Sequence, residues 1–528
     1  MSKWLRARSS VIALAAIIAA SVSLSIYWVF RVPIYESPDE PAHLDYALNI
    51  YSAGRPITVR EPLGAWNSPP LDLHVFTEHL WRDSGVGPIA FHPSVKAPTD
   101  YGTRAFYDRL DFNTPGEDSG GLASKPRTGF SYITVYPAGY YTLLAGWIKL
   151  LRLFSKRITV LFFGARMLSV VLLGVSLVLI YATTRELHFA PRRALVLTAV
   201  VGLFPMTTFV SSYIQPDNLS LVLVMLCWYL ALRFRRSPDD ARLLLLLGIA
   251  LGLLFFTKYH FYSVIFIAVF PMAIADQLAG RRKKIGWLRM IGLMLVPTLI
   301  LLCVQAWIGY GSDKYPVVSD PSTQHQEFSQ AFSAGNGAVV NFLAKGAAQA
   351  FGNFYVNGTT FQSFWGNFGW LDTLLVIVNA GTTEIIRKFI ALLDVVVFAL
   401  VLFRFEQVAT RLIVIARRGR WRRALCIALS NPLLNSYFVF TILMFGLFMV
   451  VRMSFAPQGR NWFPFILPIF MTGTSYAPKA LSHRTTRRAF AFFILACLVL
   501  YCVVGSCYAI RSINERYYGT AAVLKVPS

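Results

Sequence analysis

The sequence predicts an all-α polytopic membrane protein with about eleven transmembrane helices and a long first extracytoplasmic loop carrying interfacial helices. Three observations predict it. Of 528 residues, 55% are hydrophobic and only 14% are charged, a balance outside the range of soluble globular domains. Apolar runs recur at close to the ~20 residues needed to cross a hydrocarbon core. The connections on one side of those runs are rich in Lys and Arg and those on the other are not, the asymmetry that sets orientation in a membrane.

The first run, 11–30, follows Lys3, Arg6 and Arg8, which place the amino terminus in the cytoplasm. No small-x-small cleavage site follows it, so it is expected to be retained as a helix. Residues 31–157 form the extracytoplasmic loop; between Arg31 and Thr134 it holds 13 of the 26 acidic residues against nine Lys and Arg. An acidic outer loop on a basic protein has work of its own. The stretch 142–154, with Trp147 and Lys149, is expected to lie at the outer interface. Further spans are predicted at 158–183, 194–212, 217–234, 241–257, 261–278 and 286–309, then, after an aromatic-rich outer segment 310–385, at 386–405, 432–451, 462–477 and 489–510, with 511–528 as an outer tail.

The net charge of +24 is accounted for by basic cytoplasmic loops, and no basic soluble domain is present to bind nucleic acid. The six cysteines avoid the polar loop, and five of them lie within apolar runs, so neither a disulfide framework nor a Cys-based metal site is supported. No repeat of twenty to fifty residues and no inverted half-repeat is visible, which weakens a transporter architecture.

Chemistry concentrates in Ser37-Pro38-Asp39-Glu40-Pro41-Ala42-His43. Two carboxylates where a membrane helix meets water suit a general base or a cation-binding group facing a lipid-borne substrate. Ser37 with Glu40 also has capping-box spacing, with Asp39 favouring the helix dipole, so a purely structural role stays open. His43 follows Asp39 by four residues and Glu40 by three, on a shared helix face. The Glu-x-x-His spacing occurs once, whereas a di-metal bundle needs two copies; a divalent cation on Asp39 and Glu40 is compatible with the chemistry and not required by it.

Basic residues at outer helix ends ask for partners. Lys258 lies between the fifth and sixth spans, and Arg452 and Arg460 flank Gln458-Gly459 between the ninth and tenth. They suit phosphate oxygens; snorkelling to headgroups or pairing with the acidic loop would use them equally. Asp217 can cap the fourth span, orient Lys258 or bind a sugar hydroxyl. Trp365 and Trp370 can anchor at the interface or stack on a pyranose.

These motifs resemble the GT-C superfamily of membrane glycosyltransferases. Pro38-Asp39-Glu40-Pro41-Ala42-His43, Ser363-Phe364-Trp365-Gly366-Asn367-Phe368-Gly369-Trp370 and Gln458-Gly459-Arg460 are similar to those of a bacterial family of GT-C-like proteins. The resemblance implies a GT-C-like fold in the bacterial inner membrane and transfer of a sugar from a polyprenyl-phosphate donor to an envelope glycan or lipid on the periplasmic or exterior face. It makes Asp39 the candidate base, with Glu40 beside it, and Arg460, Lys258 and Arg452 the binders of donor phosphate. His43, Asp217, Trp365, Trp370 and Tyr140 would line the sugar and acceptor site. Where the family has two prolines before Leu-Tyr-Tyr, this chain has Pro137-Ala138-Gly139-Tyr140-Tyr141, a change in the shape of the sugar pocket. No cofactor is required, consistent with the lack of a Gly-rich nucleotide loop. The rival expectations are a lipid or small-molecule transporter and an envelope-polymer polymerase or ligase; the former calls for paired charges at mid-bilayer, whereas Asp276 and Asp394 lie near span ends.

Overall fold

The computed structural model describes residues 2–54, 96–112, 136–237, 240–278, 286–307, 359–369, 373–374, 459–475 and 484–519, with isolated positions between 337 and 443. The expected span 386–405, most of 432–451 and of the aromatic segment, Arg452 and Trp370 lie outside the described residues.

Helix α1 (Ser2–Arg31) opens on the cationic residues Lys3, Arg6 and Arg8, continues as an apolar stretch, contains no Gly or Pro and stops just before Pro33. Helix α2 (Glu40–Ala53) carries Pro41 in its first turn and ends at Gly54, whose N–H donates to Ile50 O at 3.0 Å. Helix α3 (Arg104–Phe112) follows, then α4 (Gly139–Arg152). With 14 residues α4 covers about 21 Å, less than the ~30 Å hydrocarbon core. It lays Tyr140, Tyr141, Leu144 and Ile148 against α2 and leaves Leu143 and Leu150 exposed. Its start is pinned because the Gly139 N–H donates to Phe256 O at 2.9 Å, and a Cβ on Gly139 would lie only 2.5 Å from that oxygen. Glycine at 139 thus permits an approach to the Phe256 carbonyl that any side chain would block.

Helix α5 (Ile158–Glu186) and helix α8 (Asp217–Arg236) pack together at the centre. The single span expected over 194–212 is instead two pieces, α6 (Pro191–Gly202) and α7 (Pro205–Val210). Pro205 lacks the N–H that a continuous helix would need and forces Phe204 into extended backbone. Helix α9 (Ala241–Phe255) starts on an Asp240 cap and crosses α11 (Trp287–Trp307), with α10 (Tyr259–Leu278) between them in sequence. The α9–α11 crossing is close: a Cβ on Gly248 would stand 2.2 Å from Leu293 O.

The aromatic segment contributes α12 (Thr359–Trp365) and a small antiparallel pair, β1 (Asn367–Phe368) with β2 (Thr373–Leu374), in the register Asn367↔Leu374 and Phe368↔Thr373. A 3-10 turn, Gly459–Phe465, leads into α13 (Ile466–Ser475), and α14 (Arg484–Tyr518) closes the described chain, longer at both ends than the expected 489–510.

Four of these helices contain stretches long and apolar enough to cross a membrane: Arg8–Arg31, Ile158–Glu186, Asp217–Arg236 and Phe492–Tyr518. Only 11% of the first apolar window is buried against 78% of the third, which puts α8 inside the bundle and α1 at its rim. The far ends of α5 and α8 are tied by Glu186 to Arg233 (3.3 Å) and to Arg236 (2.7 Å). Glu186, Arg233 and Arg236 thus hold charge at the far ends of the central helices, where a bilayer boundary accommodates it.

Candidate functional site

Four connections meet at the other end of α5 and α8: the loop 32–39 after α1, the turn 211–216 before α8, residues 256–258 between α9 and α10, and the 3-10 turn at Gly459. Three of them carry a charged side chain of the site, Asp39, Lys258 and Arg460, and the fourth leads directly into Asp217, the first residue of α8. The Arg460 Nη2 donates to Asp39 Oδ2 at 2.7 Å, and its Nη1 donates to the Tyr213 hydroxyl at 3.4 Å. The Lys258 Nζ donates to Asp217 Oδ1 in a second ion pair. The two pairs differ in access: Asp39 and Arg460 side chains are 30% and 14% exposed, Asp217 and Lys258 only 5% and 7%.

Between the pairs lie His43 and Tyr136. His43 Nδ1 is 2.9 Å from the Tyr141 hydroxyl, with the rings stacked at 5.8 Å. Burial pushes His43 down to about 3, because the pull of Asp39 toward the charged form is outweighed by desolvation and by Arg460 and Lys258. His43 is therefore a neutral hydrogen-bonding group. Lys258 Nζ stands 5.5 Å over the Tyr136 ring, and burial, then Asp39, pushes the Tyr136 hydroxyl up to about 12. Tyr140 is fully buried with its hydroxyl beside Ser169 and the Gln215 backbone, and burial raises it.

The expected capping box does not form. Asp39 occupies the N-cap position at φ 62°, ψ 3°, in the left-handed region, and makes no side-chain cap. N-cap geometry calls for extended backbone; the left-handed turn instead directs the Asp39 carboxylate to Arg460. Glu40 does not reach back to the helix start either. Its two oxygens accept from Arg166, Nε to Oε1 at 2.8 Å and Nη2 to Oε2 at 2.6 Å, and Oε1 also accepts from the Ile214 N–H at 3.2 Å. Both side chains are wholly buried. With both Glu40 oxygens engaged and Asp39 held by Arg460, the two carboxylates do not face one another as a shared cation site. Among the described residues no cluster of three or more metal-ligating side chains occurs.

Asp217 pairs with Lys258 and does not cap α8; Pro216 takes the N-cap position, and Asp217 adds its charge to the first turn of the helix. Trp365 is neither an interfacial anchor nor an open sugar platform. Its ring lies in the core at 5.6 Å from Phe204 and edge-on to Tyr501 at 5.0 Å, which leaves no face for a pyranose.

Sequence reasoning passed over Arg166 and Tyr213. Arg166 sits within the second apolar span, in Phe162-Phe163-Gly164-Ala165-Arg166. A lone guanidinium in an apolar helix demands a partner, and that signal was present although the charge asymmetry of the loops does not register it.

Fold and site together define a helical membrane protein with the ion pairs Asp39–Arg460, Asp217–Lys258 and Glu40–Arg166 gathered at one end of its bundle. The chain belongs to the family described as "Predicted membrane protein (DUF2142)", which it matches over residues 23–471, a stretch that takes in the whole cluster from Asp39 to Arg460. No curated protein matches the sequence.

Proposed function

We propose that the protein is a GT-C-type glycosyltransferase, transferring a sugar from a polyprenyl-phosphate donor to a hydroxyl of an envelope glycan or lipid at the extracytoplasmic face of the bacterial inner membrane. The observation that carries this reading is the Asp39–Arg460 pair, a carboxylate and a guanidinium in contact and partly open, beside the buried Lys258–Asp217 pair. An incoming phosphate gives Arg460 a second anion to bind and releases Asp39. Asp39 then takes the proton of the acceptor hydroxyl as that oxygen bonds to the anomeric carbon. The bond from that carbon to the phosphate oxygen breaks with inversion, and polyprenyl phosphate leaves with its charge stabilised by Arg460 and, at longer range, Lys258. Neutral His43 and Tyr136 supply hydrogen-bonding groups at the floor. No nucleotide enters, and the reading calls for no divalent cation.

The test is transfer by the purified full chain in lipid nanodiscs, supplied with a panel of polyprenyl-phosphate hexoses, pentoses and aminosugars and with envelope glycolipid. Wild-type protein is expected to move one class of sugar, and Asp39→Asn to lose transfer by about 100-fold or more. Transfer undiminished in Asp39→Asn would sink the reading. Mass spectrometry of envelope glycans with and without the protein would name the sugar.

A further inference from the structure

We infer that Arg166 and Glu40 form a positioning clamp that holds Asp39 in register with Arg460; the consequence for catalysis rests on the reading above, and the positioning itself does not. All five N–H donors of Arg166 are used. Besides the two bonds to Glu40, Nη1 donates to Val29 O (2.8 Å) and Val32 O (2.7 Å), and Nη2 donates to Pro33 O (3.0 Å). One buried guanidinium thus ties the end of α1 and the two residues Val32 and Pro33 beyond it to the first side chain of α2, fixing both ends of the segment 33–40 that carries Asp39.

Two residues in that segment are held in left-handed backbone without being glycine, Tyr35 at φ 64° and Asp39 at φ 62°. Such conformations persist where the surroundings over-determine them. The clamp supplies that determination, since residues 33 and 40 cannot move apart while both are bonded to Arg166.

The same Glu40 carboxylate reaches across to the other half of the site. Its Oε1 accepts from Ile214 N–H, the neighbour of Tyr213, whose hydroxyl is the second partner of Arg460. Glu40 therefore sets Asp39 through the chain and Tyr213 through the turn, so that the two acceptors of Arg460 are placed by one buried pair. Neither clamp residue touches the open part of the site; each acts through Asp39 and Tyr213.

Arg166→Lys keeps a cation for Glu40 but loses the planar fork and most of its bonds, and Glu40→Gln keeps the shape but strands the guanidinium; the former is the milder variant and decides the matter if the latter does not fold. A double-mutant cycle on Asp39→Asn and Arg460→Gln, read by thermal unfolding of the full chain in nanodiscs, needs no substrate. The expected result is non-additive midpoints in the wild-type background and additive ones in Arg166→Lys. Undiminished coupling in Arg166→Lys would overturn the clamp whatever the protein transfers. With donor in hand, Arg166→Lys should lower kcat by about 100-fold with the affinity for undecaprenyl phosphate nearly unchanged, and should cost nothing further in Asp39→Asn. A full kcat, or an equal further loss in Asp39→Asn, would refute positioning; loss of transfer in Asp39→Asn with wild-type transfer in Arg166→Lys would refute the clamp and leave the proposed reaction standing.

Discussion

The guanidinium of Arg460 donates to Asp39 at 2.7 Å across 421 residues of sequence. A partly open ion pair contributes up to about 1 kcal/mol to stability, enough to be read as coupling in unfolding midpoints but too little to explain why it stands beside a second, buried pair. An arginine whose N–H donors already meet a carboxylate oxygen and a hydroxyl has the donors to hold a phosphate, whose oxygens likewise accept from a guanidinium.

Arg460→Ala should therefore damage substrate handling far more than folding. Transfer efficiency, as kcat/KM for the polyprenyl-phosphate donor, is expected to fall about 100-fold or more, while the unfolding midpoint moves by a few degrees at most. Arg460→Lys should recover only part of the loss, because a point charge cannot bind Asp39 or phosphate and Tyr213 at once. Equal activity of the lysine variant and wild type would show that charge alone suffices.

The Lys258–Asp217 pair should behave in the opposite way. Both side chains are nearly sealed from solvent, so Lys258→Met strands a buried carboxylate and is expected to cost about 3–5 kcal/mol. The double change Lys258→Met with Asp217→Leu removes both charges and should regain most of that stability. Thermal unfolding of wild type and the two variants in one detergent checks the order, single below double and double near wild type.

Acid should weaken the fold through His43. Its pKa in the folded chain, about 3, lies below the ordinary value of 6.5, so the unfolded chain binds the proton first as pH falls. The stability that neutral His43 contributes is complete above pH 6.5 and is lost progressively between 6.5 and 3. Thermal midpoints of wild type and His43→Gln, compared across this window, should converge toward the acid end. A constant difference would mean that His43 does not titrate on unfolding.

Much of this site was legible in the sequence because its parts are charged residues at the ends of apolar runs, and the loop charge asymmetry assigns such residues to one face. Asp39, Asp217, Lys258 and Arg460 were all legible on that ground. Their pairing was not, since partners lie 41 and 421 residues apart and nothing local encodes the match. Glu40 misled for the same reason: Ser-x-x-Glu is a local pattern, and the partner that displaces it, Arg166, lies 126 residues on. Trp365 was opaque in another way, because an aromatic cluster has the same composition in a core as at an interface. Pro205 did carry the signal for the break between α6 and α7, but apolar length alone reads through it.

The start of α4 gives the sharpest steric test. Gly139 donates to Phe256 O and has no room for a Cβ, which would meet that oxygen at 2.5 Å and the Phe256 ring at 2.9 Å. The carbonyl belongs to the turn leading into Lys258, so it cannot yield without moving a member of the site. Gly139→Ala is expected to cost about 1–3 kcal/mol through overpacking. Gly139→Pro should cost more, because it adds the loss of the 2.9 Å hydrogen bond. Unfolding midpoints in the order wild type, Ala, Pro would bear this out. If alanine matched wild type, α4 would have to slide along α2 without penalty, and the packing of Tyr140 and Tyr141 beneath the site would no longer depend on the α9–α10 turn.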